Sequence, residues 1–414
     1  MPKQKQKRRG AGEGSIRKVT KIDKKTGKKR EYWEGRYSIP NESGKPDRHS
    51  IYGSTQKEVQ DRLRKITDEI ADNNYKQPSD ITVSAWFDEW LADHCGDKKY
   101  LTVKSYKATV ENHIKPYFST KKKLRSLTLK DVQSFYNHLQ TTKASGKIKA
   151  GTERNISAKT IKNIHGVMTV ALNCAVELEL IPKNPATRAK IPQTHRKEIN
   201  PLTDEQVKLF MTASAGDEYE APLKFILFTG TRESEAIGLT WDCVDFKNNR
   251  VKICKQLQRR AKADGGYSLA PLKNNKTREI VCSPFVMQLL RQRQIEQQFQ
   301  KQRAGDAWVG WKSEEEQKKA FVFTKPDGDH ANSSMMYKNY KKIAAAIGVP
   351  ESRGHDLRHT YAVLSLQNGD DVKTVQENLG HATASFTLDV YGHVSETMKQ
   401  SSADRMQKYI ESIG

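Results

Sequence analysis

Cysteine is scarce and unpaired in this chain of 414 residues. The five cysteines are scattered along the sequence, their number is odd, and none stands in C-x-x-C spacing. A zinc ribbon or a disulfide framework is therefore not expected, and a reducing cytoplasm is the simplest compartment for the protein. The cysteines are Cys95, Cys174, Cys243, Cys254 and Cys282.

Long apolar runs and net acidic charge are also lacking. Mean hydropathy is −0.80, and no apolar run approaches the ~20 residues of a membrane span. The first ten residues are rich in Lys and Arg but hold no apolar segment of the kind found in secretory signals. Lys and Arg number 72 against 49 Asp and Glu, a formal charge of +23. Such a surplus requires a polyanion or an anionic surface as partner, and no membrane partner is expected.

Residues 1–78 have the pattern of a small basic module. The first thirty hold thirteen Lys and Arg against two acidic residues, and we expect much of that stretch to stay mobile until it meets a partner. Alternation at Trp33–Ile39 and at Arg48–Tyr52 predicts strands, and Thr55 with Glu58 forms a capping box that begins a helix. The prediction is a three-stranded sheet with one helix. An ordinary β–α unit with solvated lysines explains these residues equally well.

Residues 79–185 are predicted to form an all-α bundle. Apolar residues recur at helical spacing in four stretches, the longest of which runs from Ser157 to Leu180. A basic stretch punctuated by prolines follows, which predicts a stiff, extended linker at residues 186–200. Four or five helices are expected before that linker.

Residues 201–414 are predicted to form a mixed, mostly helical domain. Thr203 and Gln206 have the spacing of a capping box at its first helix. Two or three strands are expected between Val244 and Val281, and helices occupy most of the remainder. The fold class expected for the whole chain is therefore multidomain α+β.

Three stretches of this third domain collect residues suited to one reaction. They are Thr229-Gly-Thr-Arg-Glu-Ser-Glu235, Gly354-His-Asp-Leu-Arg-His-Thr360, and the segment from Leu379-Gly-His to Tyr391-Gly-His393. Phosphodiester chemistry needs positive charge on the non-bridging oxygens, where charge develops in the transition state. Arginine meets that need because it is always charged and binds phosphate oxygens with a planar fork. A phenol of pKa ~10 becomes a nucleophile once its proton is taken.

In these stretches the sequence resembles the tyrosine recombinases, or phage-type integrases. The Arg, H-x-x-R, L-G-H and Y-G-H motifs occur in that family's order and spacing. The layout of a small sheet module, a helical domain, a linker and a catalytic domain resembles integrases that bind arm-type DNA sites, most closely those of bacterial conjugative transposons. The resemblance implies that residues 1–78 bind arm-type sites and residues 79–185 bind the core site. It also implies two larger domains that close around duplex DNA as a C-shaped clamp.

The resemblance assigns roles to five of the motif residues. Arg232 and Arg358 would grip the scissile phosphate, and His381 would donate a further hydrogen bond to it. His355 would be the general base or proton shuttle. Tyr391 would attack the phosphate and form a 3′-phosphotyrosine bond.

A lysine that protonates the departing 5′-oxygen is the remaining member implied by the resemblance. Lys273 sits where the family has its β-hairpin lysine, but Asn274 and Asn275 follow it and depart from the common pattern. Lys276 is therefore a competing candidate. Glu235 fits either a supporting carboxylate behind Arg232 or an ordinary surface glutamate. Because phosphotyrosine conserves the energy of the broken diester, neither ATP nor another cofactor nor a metal is expected.

Three other functions compete with site-specific recombination. His355 and His359 have the i, i+4 spacing of a zinc pair, although the sequence there is H-D-L-R-H and no third ligand is obvious. A DNA-binding regulator without catalysis explains the charge but not the convergence of arginine, histidine and tyrosine. A type IB topoisomerase shares the chemistry but cuts and religates one strand.

The expected partners follow from the family resemblance. The protein is expected to bind double-stranded DNA at core and arm-type sites on the bacterial nucleoid, and to act as a homotetramer on two duplexes. An excisionase and a host DNA-bending protein are implied as accessory partners. The tail after Tyr391 has apolar residues at loose helical spacing, which suits a helix docked on a neighbouring protomer or one packed on its own domain.

Overall fold

The structure is a computed structural model that forms two compact units, residues 1–195 and 196–414. It describes residues 15–22, 29–39, 47–71, 80–118, 120–144, 154–194, 200–261, 266–273, 275–380 and 395–413. The expected multidomain α+β fold class is confirmed, with a small sheet and a helical bundle in the first unit and a mixed, mostly helical second unit. The exact boundaries of the four predicted segments stay a prediction.

The first unit begins with an antiparallel three-stranded sheet in the order β1-β2-β3. The strands are β1 (Ser15–Ile22), β2 (Lys29–Ile39) and β3 (Asp47–Gly53). Helix α1 (Gln56–Ala71) covers one face. Part of the basic stretch of residues 1–30 forms β1, all eight residues of which pair in register with β2.

Glycine on the helix-covered face of β2 explains how α1 packs so closely. A Cβ on Gly35 would lie 2.7 Å from Val59 Cγ1, so only a glycine leaves room for the helix. Strand alternation places Trp33 and Tyr37 on this same face, where both side chains are half-buried. They therefore belong to the small core of the sheet.

A helical bundle makes up the rest of the first unit. Its elements are α2 (Val83–Asp93), α3 (Tyr100–Thr109), a π-helical turn (Val110–Ile114), α4 (Lys115–Tyr117), a 3₁₀ turn (Leu124–Ser126), α5 (Leu129–Thr141) and α6 (Ala158–Glu177). The predicted apolar positions form its core, in which Trp86, Phe87 and Phe135 are fully buried. Trp86 also donates from Nε1 to Ala171 O over 3.1 Å, which satisfies its polar atom inside the core.

The first residues of the predicted linker pack on this bundle. Ala186 is fully buried in the bundle core, and Gln133 Oε1 accepts from Lys190 N over 2.8 Å. Gln133 Nε2 in turn donates to Lys190 O over 3.1 Å. These two hydrogen bonds satisfy a backbone that has no helix or strand partner of its own.

The second unit packs helices around α8. Its helices are α7 (Asp204–Ala213), α8 (Glu220–Thr229), α9 (Glu233–Ala236), α10 (Pro284–Ala304), α11 (Glu314–Lys319), α12 (Ser333–Ala346), α13 (Gly354–Gln367), α14 (Val372–Leu379) and α15 (Ser395–Ile413). Helix α8 is apolar around most of its circumference and contacts α10 and α13. The predicted capping box of Thr203 and Gln206 is present at the start of α7.

Five short strands occur between Val244 and Val281 in the part of that segment that the structure describes, so the expectation of two or three is wrong. Strands β4 (Val244–Asp245), β5 (Arg250–Ile253) and β8 (Arg278–Val281) form one antiparallel sheet. Strands β6 (Lys255–Arg259) and β7 (Tyr267–Pro271) form a separate hairpin. The hairpin is largely polar. Its sequence therefore lacks the regular alternation of apolar and polar residues from which strands are predicted. Over the described residues, no helix has both the length and the apolar character that crossing a bilayer requires.

Candidate active site

The turn after α8 is the first part of the site. Gly230 ends α8 in the left-handed region, at φ +64°. A Cβ there would lie 2.3 Å from Tyr361 Cδ1 and 2.8 Å from Leu379 Cδ2. Both the backbone conformation and the space therefore require glycine. The turn delivers Arg232 two residues later, at the start of α9.

Arg358 joins the three motif stretches. Its side chain extends from α13 and is only 1% exposed. Nη1 donates to Gly230 O and Nη2 donates to Leu379 O, each over 2.7 Å. A buried guanidinium requires such acceptors because its charge cannot be lost. The two bonds hold the turn before Arg232 and the end of α14 against α13.

Arg232 is fixed by a carboxylate inside its own short helix. Glu235 is 2% exposed; its Oε1 accepts from Arg232 Nη1 over 2.6 Å and its Oε2 accepts from Arg232 N over 3.0 Å. Arg278 Nη2 donates to the same Oε2 over 2.6 Å. Burial alone would raise the pKa of Glu235, but the hydrogen bond and charge of Arg278, together with Arg232, lower it to about 2. Glu235 is therefore a supporting carboxylate and not a surface residue.

The imidazole of His355 lies one helical turn before Arg358, close enough to Arg358 and Arg232 to interact with both charges. It keeps an exposed surface, yet partial loss of water and the charges of Arg358 and Arg232 lower its pKa. A lowered pKa keeps the ring neutral, and thus able to accept a proton, near pH 7.

His359 packs edge to face against His355, with 4.8 Å between the ring centroids. Burial, followed by the charge of His355, lowers the pKa of His359 to about 4. Among the residues that the structure describes, no group of three or more His, Cys, Asp or Glu is placed to hold a metal ion. The two histidines therefore gain no third ligand from this part of the chain.

Lys273 and Lys276 lie on the connection from β7 to β8. Asn275 N donates to Leu272 O over 3.0 Å and Asn275 has φ +52°, and this backbone hydrogen bond closes a tight turn beside Lys273. Both lysines are exposed. Gln256 links this turn to α9: it accepts from Ser234 Oγ over 3.1 Å and donates to Pro271 O over 2.8 Å. Lys273 is two residues beyond that anchored carbonyl.

The structure thus brings Arg232, His355 and Arg358 together, and it ties the Lys273 turn to the helix of Arg232. His381 and Tyr391 lie outside the described residues, which stop at Gly380 and resume at α15. One supporting residue, Arg278, was not anticipated. The sequence of β8 could have indicated it, because Arg278 and Ile280 alternate onto the same face of the strand. An arginine on a buried face needs a carboxylate partner.

Two family models match the chain. Residues 200–398 match the phage integrase family, and residues 82–140 match the N-terminal SAM-like domain of phage integrases. The chain belongs to the phage integrase family. As a member it is a tyrosine recombinase, an enzyme of site-specific DNA recombination, and the predicted resemblance is confirmed.

Relatives of similar length support this membership. The tyrosine recombinase XerC-like protein of Caldanaerobacter subterraneus subsp. tengcongensis is 27% identical over 380 residues, covering 88% of this chain and 93% of the relative. The ICEBs1 integrase of Bacillus subtilis is 22% identical over 360 residues, covering 85% of this chain and 90% of the relative. The similarity therefore extends beyond the catalytic motifs to most of both chains.

Solved structures share the fold. The Tn1549 transposon integrase, in complex with a circular intermediate DNA, superposes with a TM-score of 0.61 at 20% identity, covering 79% of this chain and 99% of the other. A lambda integrase dimer bound to a core site gives a TM-score of 0.51 at 15% identity, covering 75% of this chain and 95% of the other. The integrase fold is thus common to these proteins at low sequence identity.

Proposed function

We propose that this recombinase cuts and rejoins double-stranded DNA through Tyr391, with Arg232, Lys273, His355, Arg358 and His381 completing the active site. One observation carries the proposal: the two hydrogen bonds of Arg358 gather all three motif stretches around one buried charge. Gly230 O, one of its acceptors, lies two residues before Arg232. Leu379 O, the other, lies two residues before His381.

The proposed cleavage step is a phosphoryl transfer to the phenol. Tyr391 oxygen attacks the scissile phosphorus and forms a 3′-phosphotyrosine bond as the bond from phosphorus to the 5′-oxygen breaks. The phenolic proton passes to neutral His355, whose lowered pKa suits this role. Arg232, Arg358 and His381 stabilise the charge on the non-bridging oxygens. In the reverse step a 5′-hydroxyl attacks phosphorus and releases the tyrosine, so the bond energy is conserved.

We assign the general acid to Lys273 and keep Lys276 as its competitor. The acid must give its proton to the departing 5′-oxygen, which lies on the side of phosphorus opposite the tyrosine. The Ser234–Gln256–Pro271 hydrogen bonds connect the turn of Lys273 directly to the helix of Arg232. Lys276 lies beyond the tight turn, three residues farther from that anchor.

Residues 1–78 are proposed to bind arm-type DNA sites with the sheet face that α1 leaves uncovered. Strand register brings Arg17, Arg36 and Tyr52 together on that face around Glu34. Glu34 accepts from Arg17 Nε over 2.5 Å and from Tyr52 Oη over 2.9 Å. These hydrogen bonds, led by that of Arg17, lower the pKa of Glu34 to about 2. A basic, ordered sheet face suits contacts with DNA phosphates, which make binding steeply dependent on salt.

Residues 79–185 are proposed to bind the core site, and four protomers are proposed to assemble on two duplexes. Helix α15 supports assembly because four of its apolar residues are more than half exposed: Met406, Tyr409, Ile410 and Ile413. Such a helix suits docking on a neighbouring protomer, which would couple cleavage between active sites.

The reaction is proposed to integrate and excise a mobile element, such as a conjugative transposon, in the bacterial nucleoid. The ICEBs1 and Tn1549 relatives are integrases, and the latter is a transposon integrase by name. An excisionase and a host DNA-bending protein are proposed as accessory partners that set the direction of the reaction.

Trapping a covalent adduct tests the chemistry. A suicide substrate is nicked near the cleavage site, so that the short cleaved strand dissociates and leaves the protein joined to DNA on an SDS gel. Wild type and Tyr337→Phe, which alters an exposed tyrosine of α12, should form the adduct. Tyr391→Phe should bind DNA normally and form none. An adduct in Tyr391→Phe, or none in wild type despite binding, would refute the proposal.

Strand exchange separates recombination from a topoisomerase reaction. Two duplexes that carry matched sites and different labels should yield recombinant products with wild type. Relaxation of supercoiled DNA without recombinant product would support the topoisomerase alternative instead.

A further inference from the structure

Arg278 lies on β8, outside all three motif stretches, yet it reaches the centre of the site. Its side chain is 9% exposed. Nη2 donates to Glu235 Oε2 over 2.6 Å, and Nε donates to Asn378 O over 2.7 Å. One guanidinium therefore connects the carboxylate behind Arg232 to the backbone three residues before His381.

We propose that Arg278 is a positioning residue for DNA cleavage, which sets the place of Arg232 through Glu235 and fixes the end of α14, the helix that precedes His381 in the sequence, through Asn378. This inference rests on the proposed roles of Arg232 and His381 at the scissile phosphate. It adds a residue that does not itself touch the reacting atoms.

The link to Arg232 depends on a shared carboxylate. Helix α9 has only four residues, too few to fix the side chain at its first turn by helical hydrogen bonds alone. Glu235 supplies that fixation by accepting from the backbone and the guanidinium of Arg232. Arg278 Nη2 donates to the same Oε2 that accepts from Arg232 N. Removing Arg278 would leave a buried carboxylate with Arg232 as its remaining charged partner among the described contacts.

The link to His381 depends on the end of α14. The last carbonyls of a helix have no partner within the helix, and here two arginines take two consecutive ones. Arg278 binds Asn378 O and Arg358 binds Leu379 O. The last turn of α14, which ends two residues before His381 in the sequence, is thus held by both side chains together.

Gly380 gives independent support to this arrangement. It ends α14 in the left-handed region at φ +65°. A Cβ on Gly380 would lie 3.1 Å from Arg278 Nη1 and 3.2 Å from its Cδ. The glycine of the Leu-Gly-His motif therefore leaves room for the Arg278 side chain as well as allowing the turn.

Arginine suits this position better than lysine. Its planar fork donates from Nη2 toward α9 and from Nε toward α14 at once, whereas an ammonium is a single point with a flexible stem. Arg278→Lys should therefore keep the charge beside Glu235 but lose part of the geometry. Arg278→Gln should lose both the charge and the two-directional hydrogen-bond geometry.

The test measures the rate of adduct formation on the nicked suicide substrate at saturating protein. A displacement of about 1 Å costs on the order of 100-fold in rate, so Arg278→Gln should be about 100-fold slower than wild type and Arg278→Lys about 10-fold slower. Arg250→Gln is the matched control, because Arg250 lies on neighbouring strand β5 in an exposed pair with Glu279. DNA affinity and thermal unfolding are measured for each variant. A loss in Arg278→Gln no greater than in Arg250→Gln overturns the proposal.

Two further readouts separate positioning from a merely structural role. A substrate with sulfur in place of the 5′-bridging oxygen has a leaving group that needs no general acid. Arg278→Gln should remain slow on this substrate, since the proposed defect lies at the phosphate. Full recovery of the rate would instead mean that Arg278 supports proton donation by Lys273, and it would overturn the proposal.

The second readout is the pH profile. Arg278→Gln should lose additional rate between pH 8 and pH 5.5. Among the described residues Glu235 would then keep Arg232 as its charged partner, so its pKa would rise and the carboxylate would be protonated at a higher pH than in wild type. Glu235→Gln in the same background should remove that extra pH dependence, and its persistence counts against the proposal. Absence of any adduct with wild type would refute the proposed function itself, which distinguishes the two failures.

Discussion

Ser234 Oγ donates to Gln256 Oε1 over 3.1 Å, and this contact joins the helix of Arg232 to the hairpin that precedes Lys273. The same glutamine side chain donates from Nε2 to Pro271 O over 2.8 Å. The side chain of Gln256 therefore links the helix of Arg232, which is proposed to bind the phosphate, to the segment of Lys273, which is proposed to donate the proton. Arg278 contacts the same helix through Glu235.

Gln256→Met should impair proton donation more than phosphate binding. The substitution keeps the length of the side chain but removes both hydrogen bonds, so the Lys273 turn loses its anchor to α9. We expect adduct formation to slow about 10-fold on an ordinary suicide substrate, which is less than the roughly 100-fold or more lost when a general acid is removed, because Lys273 itself is still present. The 5′-sulfur substrate should restore most of the rate. Gln258→Met, two residues along the same face of β6, is the control and should change neither rate; an equal loss on both substrates would contradict this role for Gln256.

The choice between Lys273 and Lys276 is open to a direct comparison. Lys273→Ala should slow adduct formation by about 100-fold or more, since general acid catalysis typically contributes that much. The 5′-sulfur substrate should restore the rate because a thiolate leaves without a proton. Lys276→Ala should bind DNA slightly more weakly and cleave at nearly the wild-type rate. The reverse pattern would transfer the acid to Lys276.

Short-range chemistry made much of this fold predictable. The capping box at Thr203 and the apolar faces of the bundle depend on residues a few positions apart, and the structure has them where the sequence predicts them. Arg278 could not be placed in this way. Its acceptors lie 43 and 100 residues away in sequence, so only the folded chain brings them together.

Strand β1 and the β6–β7 hairpin show a second limit of sequence patterns. Both are rich in polar residues, and neither presents an alternation that separates a buried face from an exposed one. These strands form because their backbones pair with a neighbouring strand, and such pairing is not visible in a sequence pattern. Of the predicted site residues, the structure brings Arg232, His355 and Arg358 together, and their roles stay a prediction. The hydrogen bonds of Gln256 and Arg278 beside them could not be predicted from the sequence.

Gly230→Ala should destabilise the second unit more than an equivalent change elsewhere. The backbone has φ +64° and the new methyl would meet Tyr361 and Leu379, so conformational strain and overpacking add to about 3 kcal/mol. Gly348→Ala is the matched control, because Gly348 has φ +79° but nothing within 4 Å of the added Cβ. It should cost only the conformational part, about 1 kcal/mol. Denaturant unfolding measures both, and equal losses would mean that the contact with Tyr361 is easily relieved.

His359 should make stability fall in mild acid. Its pKa is about 4 in the folded protein and 6.5 in an ordinary histidine, so protons bind the unfolded chain more tightly. The contribution of His359 to the free energy of unfolding is therefore fully present above about pH 6.5 and declines as pH falls toward 4. Below pH 4 this histidine causes no further change. By pH 5 the loss should be about 2 kcal/mol. Thermal unfolding of wild type and His359→Gln from pH 8 to pH 5 checks this: the variant should show a smaller decline, and parallel declines would assign the acid sensitivity to other groups.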